Sequence, residues 1–122
     1  MTQRSDLMKD KRGVVLGVAN NRSIAWGIAK ACRAAGAEIA LTWQGDALKK
    51  RVEPLARELD GVLLGHCDVT DPATIDAVFE ELKSKWGRID FVVLCAGPLP
   101  NLVDEALTKA ASPVMTRAPR GR

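Results

Sequence analysis

Apolar residues fall along this chain in two alternating rhythms. Short apolar runs come first: Val14, Val15 and Leu16 with Val18 beyond Gly17, then "AEIALTW" (37–43), "GVLLGHC" (61–67) and "RIDFVVLCAG" (88–97). Runs like these suit strands buried on both faces. Between them the apolar positions recur at helical spacing. The first set is Ile24, Ile28, Ala31, Cys32 and Ala35; the second Leu48, Val52, Leu55, Ala56 and Leu59; the third Ile75, Val78, Phe79, Leu82 and Trp86. Ser23 stands where it can cap the first helix and Gly36 where it can end it. Pro54 predicts a kink or a late start in the second. Asp71 and Pro72 supply an N-cap and a first helical position for the third, which ends near Gly87. The order β-α-β-α-β-α-β with short joints predicts an α/β fold. Its expected form is a Rossmann-like parallel sheet of strand order 3-2-1-4 with helices on both faces.

After Gly97 the pattern stops. "PLPNLVDEALTKAASPVMTRAPRGR" is punctuated by Pro98, Pro100, Pro113 and Pro119 and ends on Arg117, Arg120 and Arg122. Only residues 101–111 have the composition of a short helix, so 98–122 is expected to be an irregular or disordered tail. That leaves "FVVLCA" as an apolar edge strand, open to self-association, and the prolines make the tail a poor ladder partner. The change of character near Val93 points to a truncated product of a shifted reading frame or an early stop.

The 122 residues allow one core. A net charge of +3, with both signs interspersed, gives no reason before the tail to expect nucleic acid or membrane. The polar start "MTQRSDLMKDKRG" has no apolar h-region, and no run reaches transmembrane length. Cys32, Cys67 and Cys95 are odd in number and far apart, without C-x-x-C spacing. They read as buried thiols in a cytoplasmic protein, with no metal site.

Parallel sheets bind ligands at the carboxyl ends of their strands, where the strand order reverses. Here that crevice lies between the first and fourth strands. Gly17 ends the first and lets a ligand approach the backbone. The helix starting at Ser23 aims unpaired N–H groups at the same place, with Ser23 Oγ and the Ile24 N–H as donors to a pyrophosphate. Gln44 can reach an adenosine ribose. Asp68 and Val69 can flank adenine, Asp68 accepting from its exocyclic amine. Ala96 and Gly97 leave room for ribose and nicotinamide. Plainer readings stand beside these. G-x-G-x-x-G is absent, Gly27 can serve close packing of helix on sheet, Gln44 can be solvated, and Asp68 can be a loop or cap residue. S-adenosylmethionine is another ligand that a β-α-β start can hold.

The run "GVANNRSIAWGIAKACRAAGAEIALTWQGDALKKRVEPLARELDG" followed by "GHCDVTD" resembles the NADH-dependent enoyl-acyl-carrier-protein reductases of bacterial fatty-acid synthesis. These form a branch of the short-chain dehydrogenase/reductase superfamily. The resemblance runs from about Lys11 to Val93, and Ser23-Ile24-Ala25 followed by Gly27 is distinctive for the branch. It implies that residues 1–97 are the dinucleotide-binding half of a Rossmann domain and that the cofactor is NAD (NADH). Gly17, Ser23 and Ile24 would touch the pyrophosphate and neighbouring ribose, and Gln44 would lie near the adenosine ribose. Asp68 and Val69 would border adenine, while Ala96 and Gly97 would pass the nicotinamide ribose. The usual sequence at that last place differs from "LCAGPLP". Lys49, Lys50 and Arg51 could attract a 2′-phosphate, so the preference for NADH rests on the resemblance and not on charge.

The family reaction moves a hydride from NADH to the β-carbon of a 2-enoyl thioester. A tyrosine hydroxyl stabilises the enolate and a lysine several residues later positions the cofactor ribose. Both lie in the second half of the family's chain, and this sequence has no tyrosine. Its one histidine, His66, falls near the adenine end, so no catalytic residue is assigned. The acyl-carrier-protein thioester is expected as a partner only of the full-length family. Three readings follow: an N-terminal fragment of an enoyl reductase, inactive alone; a non-catalytic dinucleotide-binding module; or an unstable product.

Overall fold

The computed structural model describes residues 6–94 and 101–115, the second stretch with side chains from Ala106 onward. Four strands, β1 (Arg12–Leu16), β2 (Glu38–Trp43), β3 (Val62–His66) and β4 (Phe91–Leu94), form one parallel sheet of order β3-β2-β1-β4. Helices α1 (Ile24–Ala34), α2 (Asp46–Glu58) and α3 (Pro72–Trp86) make the crossovers, and α4 (Asn101–Ala111) follows β4. The expected Rossmann-like topology is the observed one.

Alternation along the central strands explains the two layers. Val14 and Leu16 of β1, with Ala40 of β2, face a core closed by Ile75, Val78, Phe79 and Leu82 of α3. Val15, with Ile39 and Leu41, faces the opposite core, closed by α1 and by Val52 and Ala56 of α2. Because β1 is paired on both edges and covered on both faces, its buried residues Val14–Leu16 are an uninterrupted apolar run.

Three local expectations are corrected. The buried stripe of α1 is Ala25, Trp26 and Ala29 with Cys32 beside it, while Ile24 is 79% exposed. The stripe through Ile24, Ile28 and Ala31 is rotated off the sheet, because the indole of Trp26 fills the contact. Gly27 is exposed, and a Cβ added there would meet open space, so it does not serve close helix–sheet packing. Helix α2 starts at Asp46, well before Pro54. Burial of Val52, Ala56 and Leu59 outweighs the lost hydrogen bond, whose orphaned carbonyl belongs to exposed Lys50.

Other signals behave as read. Helix α1 closes with Gly36 at φ 106°, its N–H donating to Arg33 O and that of Ala37 to Cys32 O, the paired bonds of a Schellman turn. Asp71 caps α3 by accepting from Ala73 N at 3.1 Å, with Pro72 at the first position.

Residues 101–111 form the short helix their composition allowed, and 101–115 as a whole are packed rather than the expected irregular tail. Helix α4 and the 3₁₀ turn Ser112–Val114 lie against α3, with Ala111 and Val114 buried in the same core as Phe79. Ile89 N donates to Val114 O at 2.8 Å and Ile89 bridges Met115 in parallel, so one ladder rung forms just before β4. Pro113 sits inside the turn, where its missing N–H costs nothing. Residues 95–97 of the expected fourth strand lie outside the described residues.

Phe79→Ala removes an aromatic ring from the core beneath α3, and urea denaturation will show a loss of about 3–5 kcal/mol. Ile24→Ala, at an exposed position, will change stability by less than about 0.5 kcal/mol in the same assay.

Candidate dinucleotide site

A cavity of about 240 Å³ opens at the carboxyl ends of the strands. It is lined by Leu16 and Gly17 from β1 and its exit, Thr42, Trp43 and Gln44 from β2, Cys67 and Val69 after β3, and Leu94 at the end of β4. This is the place where strand order reverses. Its volume is below the ~300–1,000 Å³ of sites that enclose a whole drug-sized ligand, so it suits one ring system with the remainder lying outside. Gly17 has φ 102°, which only glycine adopts without strain, and it turns the chain sharply out of β1.

The loop 17–23 is held by two of its own side chains. Ser23 Oγ accepts from Ala19 N and Asn20 N, both at 3.0 Å, while Asn20 Oδ1 accepts from Arg22 N at 2.8 Å. Ser23 occupies the N-cap position of α1 but makes no side-chain bond to the helix. The expectation that Ser23 caps α1 is therefore corrected: its oxygen is turned back into the loop, because two unpaired loop amides compete for it. The first amides of α1 are left without a side-chain acceptor, and their partial positive charge is not neutralised from within.

The carboxyl end of β2 is braced from β3. Trp43 Nε1 donates to Leu64 O at 2.8 Å, and its ring stands 5.5 Å from the ring of His66. His66 Nδ1 accepts from Gly45 N at 3.0 Å, so the proton of the neutral imidazole is on Nε2. The pairing of β2 and β3 slips between Leu41 and Trp43, and this irregularity carries His66 across from Trp43. Gln44, exposed between Trp43 and Gly45, takes its position from these contacts.

Asp68 does not line the cavity itself. Its Oδ1 accepts from Thr70 Oγ1 at 2.6 Å and Thr70 N at 2.9 Å. Those two bonds, the hydroxyl first, hold its carboxyl below the usual aspartate range. Asp68 N donates to Thr74 Oγ1 at 2.9 Å, which ties the end of β3 to the start of α3. Thus Gly17, Gln44 and Val69 come together around one cavity, with Asp68 directly before Val69. Ser23 and Ile24 stand outside its lining, at the helix end beside the loop. Ala96 and Gly97 lie outside the described residues. Among the described residues no group of three or more His, Cys, Asp and Glu side chains could hold a metal ion.

The family model described as enoyl-(acyl carrier protein) reductase matches residues 17–118. The chain belongs to that family. Enoyl-[acyl-carrier-protein] reductase [NADH] 1 of Rhizobium meliloti (strain 1021) is 76% identical over 93 residues, which are 76% of this chain and 34% of that protein. The FabI enoyl-[acyl-carrier-protein] reductase [NADH] of Salmonella typhimurium is 45% identical over 93 residues, 76% of this chain and 36% of that protein. The chain thus spans about a third of the length of these relatives. Among solved structures, the reductase of Anaplasma phagocytophilum in complex with NAD superposes with a TM-score of 0.83 at 36% identity, over 95% of this chain and 54% of that one.

Within this member of the family, Thr42, Trp43, Leu48 and Cys67 join the lining although sequence reasoning passed over them. Trp43 and Thr42 close the second apolar run, and their place directly before Gln44 was the available signal. Cys67 is buried. Burial, with the charge of Asp68 second, pushes its thiol up to about 11, so it stays neutral and unreactive near neutral pH. Burial also raises Cys32, which is half-buried on α1.

NMR titration of Asp68 will give a midpoint below that of an ordinary aspartate, and Thr70→Val will move it upward. The depressed value means that the Thr70 bonds stabilise the fold above the ordinary carboxylate range. That contribution disappears as pH falls through the lowered midpoint. An unchanged midpoint in Thr70→Val would remove Thr70 as the cause.

Proposed function

We propose that this chain holds NADH by its adenosine and pyrophosphate end, as the dinucleotide half-site of an enoyl-acyl-carrier-protein reductase. The observation that carries the reading is the convergence of Gly17, Gln44 and Val69 on one cavity, beside a helix start whose amides lack a side-chain cap. In this reading adenine enters the cavity next to Val69, with Asp68 accepting from its amine, and Gln44 hydrogen-bonds the ribose. The pyrophosphate lies across the bare face of Gly17 against the first amides of α1. Ser23 holds the loop open by binding Ala19 N and Asn20 N, and its hydroxyl proton is left to donate toward the phosphate. Exposed Ile24 contributes its N–H and covers the neighbouring ribose. Ala96 and Gly97 are assigned to the nicotinamide ribose.

The reaction of the family is hydride transfer from NADH to a 2-enoyl thioester. Charge develops on the thioester oxygen, and an oxyanion donor is worth ~10²–10³ in rate. With no tyrosine among its 122 residues, this chain cannot supply the phenol that the resemblance implies. We therefore assign it binding without turnover on its own, with the acyl-carrier-protein thioester as a partner of longer relatives. Two free thiols among the described residues, Cys32 and Cys67, fit a cytoplasmic setting. No helix among the described residues is long and apolar enough to cross a membrane. Self-association through the outer edge of β4 belongs to the same proposal.

Titration of the purified chain with NADH, followed by nucleotide fluorescence, tests the reading. Binding is expected. Ser23→Ala is expected to weaken it by about tenfold, since two loop amides lose their acceptor. Equal binding by both forms would take Ser23 out of the site. Adding a crotonyl thioester is expected to leave NADH unoxidised, and measurable oxidation by this chain alone would contradict the assignment.

A further inference from the structure

His66 is the chain's one histidine, and it stands at the carboxyl end of β3, beside β2. The turn that carries Gln44 is tied to this end of β3 on both sides of Gln44. Before it, Trp43 O accepts from Cys67 N at 2.8 Å. After it, Gly45 N donates to His66 Nδ1 at 3.0 Å. Gly45 O in turn accepts from Leu48 N and Lys49 N, both at 3.1 Å, which opens α2. Gly45 is the N-cap residue of that helix and has no side chain of its own, so His66 supplies the side-chain anchor of the turn.

The two ties respond differently to acid. The first joins two backbone groups and does not titrate. The second needs the lone pair of a neutral imidazole. An imidazolium carries N–H at both nitrogens, so a proton on Nδ1 sets donor against donor and breaks the bond. Imidazole is the side chain whose charge changes between about pH 5 and 8, and half-buried His66 is open to solvent protons. Charged groups stand near it on the elements packed against β3. Asp68 follows the strand with its carboxylate engaged by Thr70, and Glu81 of α3 accepts from Gly65 N at 3.1 Å. From α2 come Asp46, directly after Gly45, and Lys49, whose ammonium sits 5.2 Å over the Trp43 ring. From β2 comes the uncharged Trp43 ring itself.

We propose that His66 positions the Gln44 turn for the adenosine ribose, and that a proton on its Nδ1 releases the turn and weakens dinucleotide binding as the medium turns acid. The inference rests on the dinucleotide reading above and adds the regulation of that site. Its sign is opposite to that of plain electrostatics. A histidine acting only as a charge would hold an anionic nucleotide more tightly once protonated. His66 acts through the backbone of Gly45, so the loss of its acceptor outweighs the gain of its charge.

The test is calorimetric titration of the full 122-residue chain with NAD+, which has the adenosine and pyrophosphate of NADH and survives acid, at about pH 8 and about pH 5.5. Native affinity is expected to fall about fivefold at the lower pH, the worth of one hydrogen bond. Coupling is reciprocal, so binding between these values is expected to release protons, seen as heats that vary with the ionisation enthalpy of the buffer. His66→Gln keeps an uncharged acceptor, Oε1, and is expected to give one affinity at both pH values and no proton release. His66→Phe keeps a ring against Trp43 without the acceptor and is expected to bind weakly at both. Circular dichroism at each pH reports that the proteins are folded. Proton uptake on binding, or a native affinity that holds or rises at the lower pH, overturns the role of His66 while the dinucleotide reading stands. An equal loss of affinity in native protein and His66→Gln does the same. If NAD+ binds the native chain at neither pH, both fall.

Discussion

Burial of β1 on both faces and both edges is the constraint from which the rest of the site takes its position. Its residues pair with β2 on one side and β4 on the other, while Val14 and Leu16 enter one core and Val15 the opposite one. A strand held in four directions has no freedom of register, so the residue after it emerges at a fixed point. That residue is Gly17, and its positive φ turns the loop over the tips of β2 and β4.

Beyond that point the loop amides are taken by side chains, while the first amides of α1 are left without one. Ser23 spends its oxygen on Ala19 N and Asn20 N, which shapes the loop and leaves the start of α1 bare. A serine that capped the helix would satisfy one of the amides that the proposed function assigns to the pyrophosphate. The same economy appears at β2. Trp43 and His66 satisfy their own hydrogen bonds against Leu64 O and Gly45 N, and so hold Gln44 and the start of α2.

The stretch 101–115 shows how a segment with little apolar pattern still finds a place. Ala111 and Val114 enter the core beneath α3, and one parallel rung at Ile89 ties the turn to the sheet. Two buried side chains and one backbone bond to Ile89 hold it there, because Phe79 and Leu82 already offer an apolar surface. Prolines that forbid a ladder do not forbid a helix followed by a turn.

Strand order, crossover helices and the meeting of Gly17, Gln44 and Val69 at one end of the sheet were legible in the sequence. They follow from periodicity, from Gly36, Asp71 and Pro72 at the helix ends, and from the handedness of β-α-β units. The tertiary structure decided which side of α1 is buried, since one indole, Trp26, outweighs the isoleucines Ile24 and Ile28 that suggested another face. It also decided that Ser23 serves its loop before its helix and that Asp68 is engaged by Thr70. Periodicity registers which residues lie on one face of an element. The partner a polar atom chooses depends on neighbours far away in the chain, and those exist only once the sheet has formed.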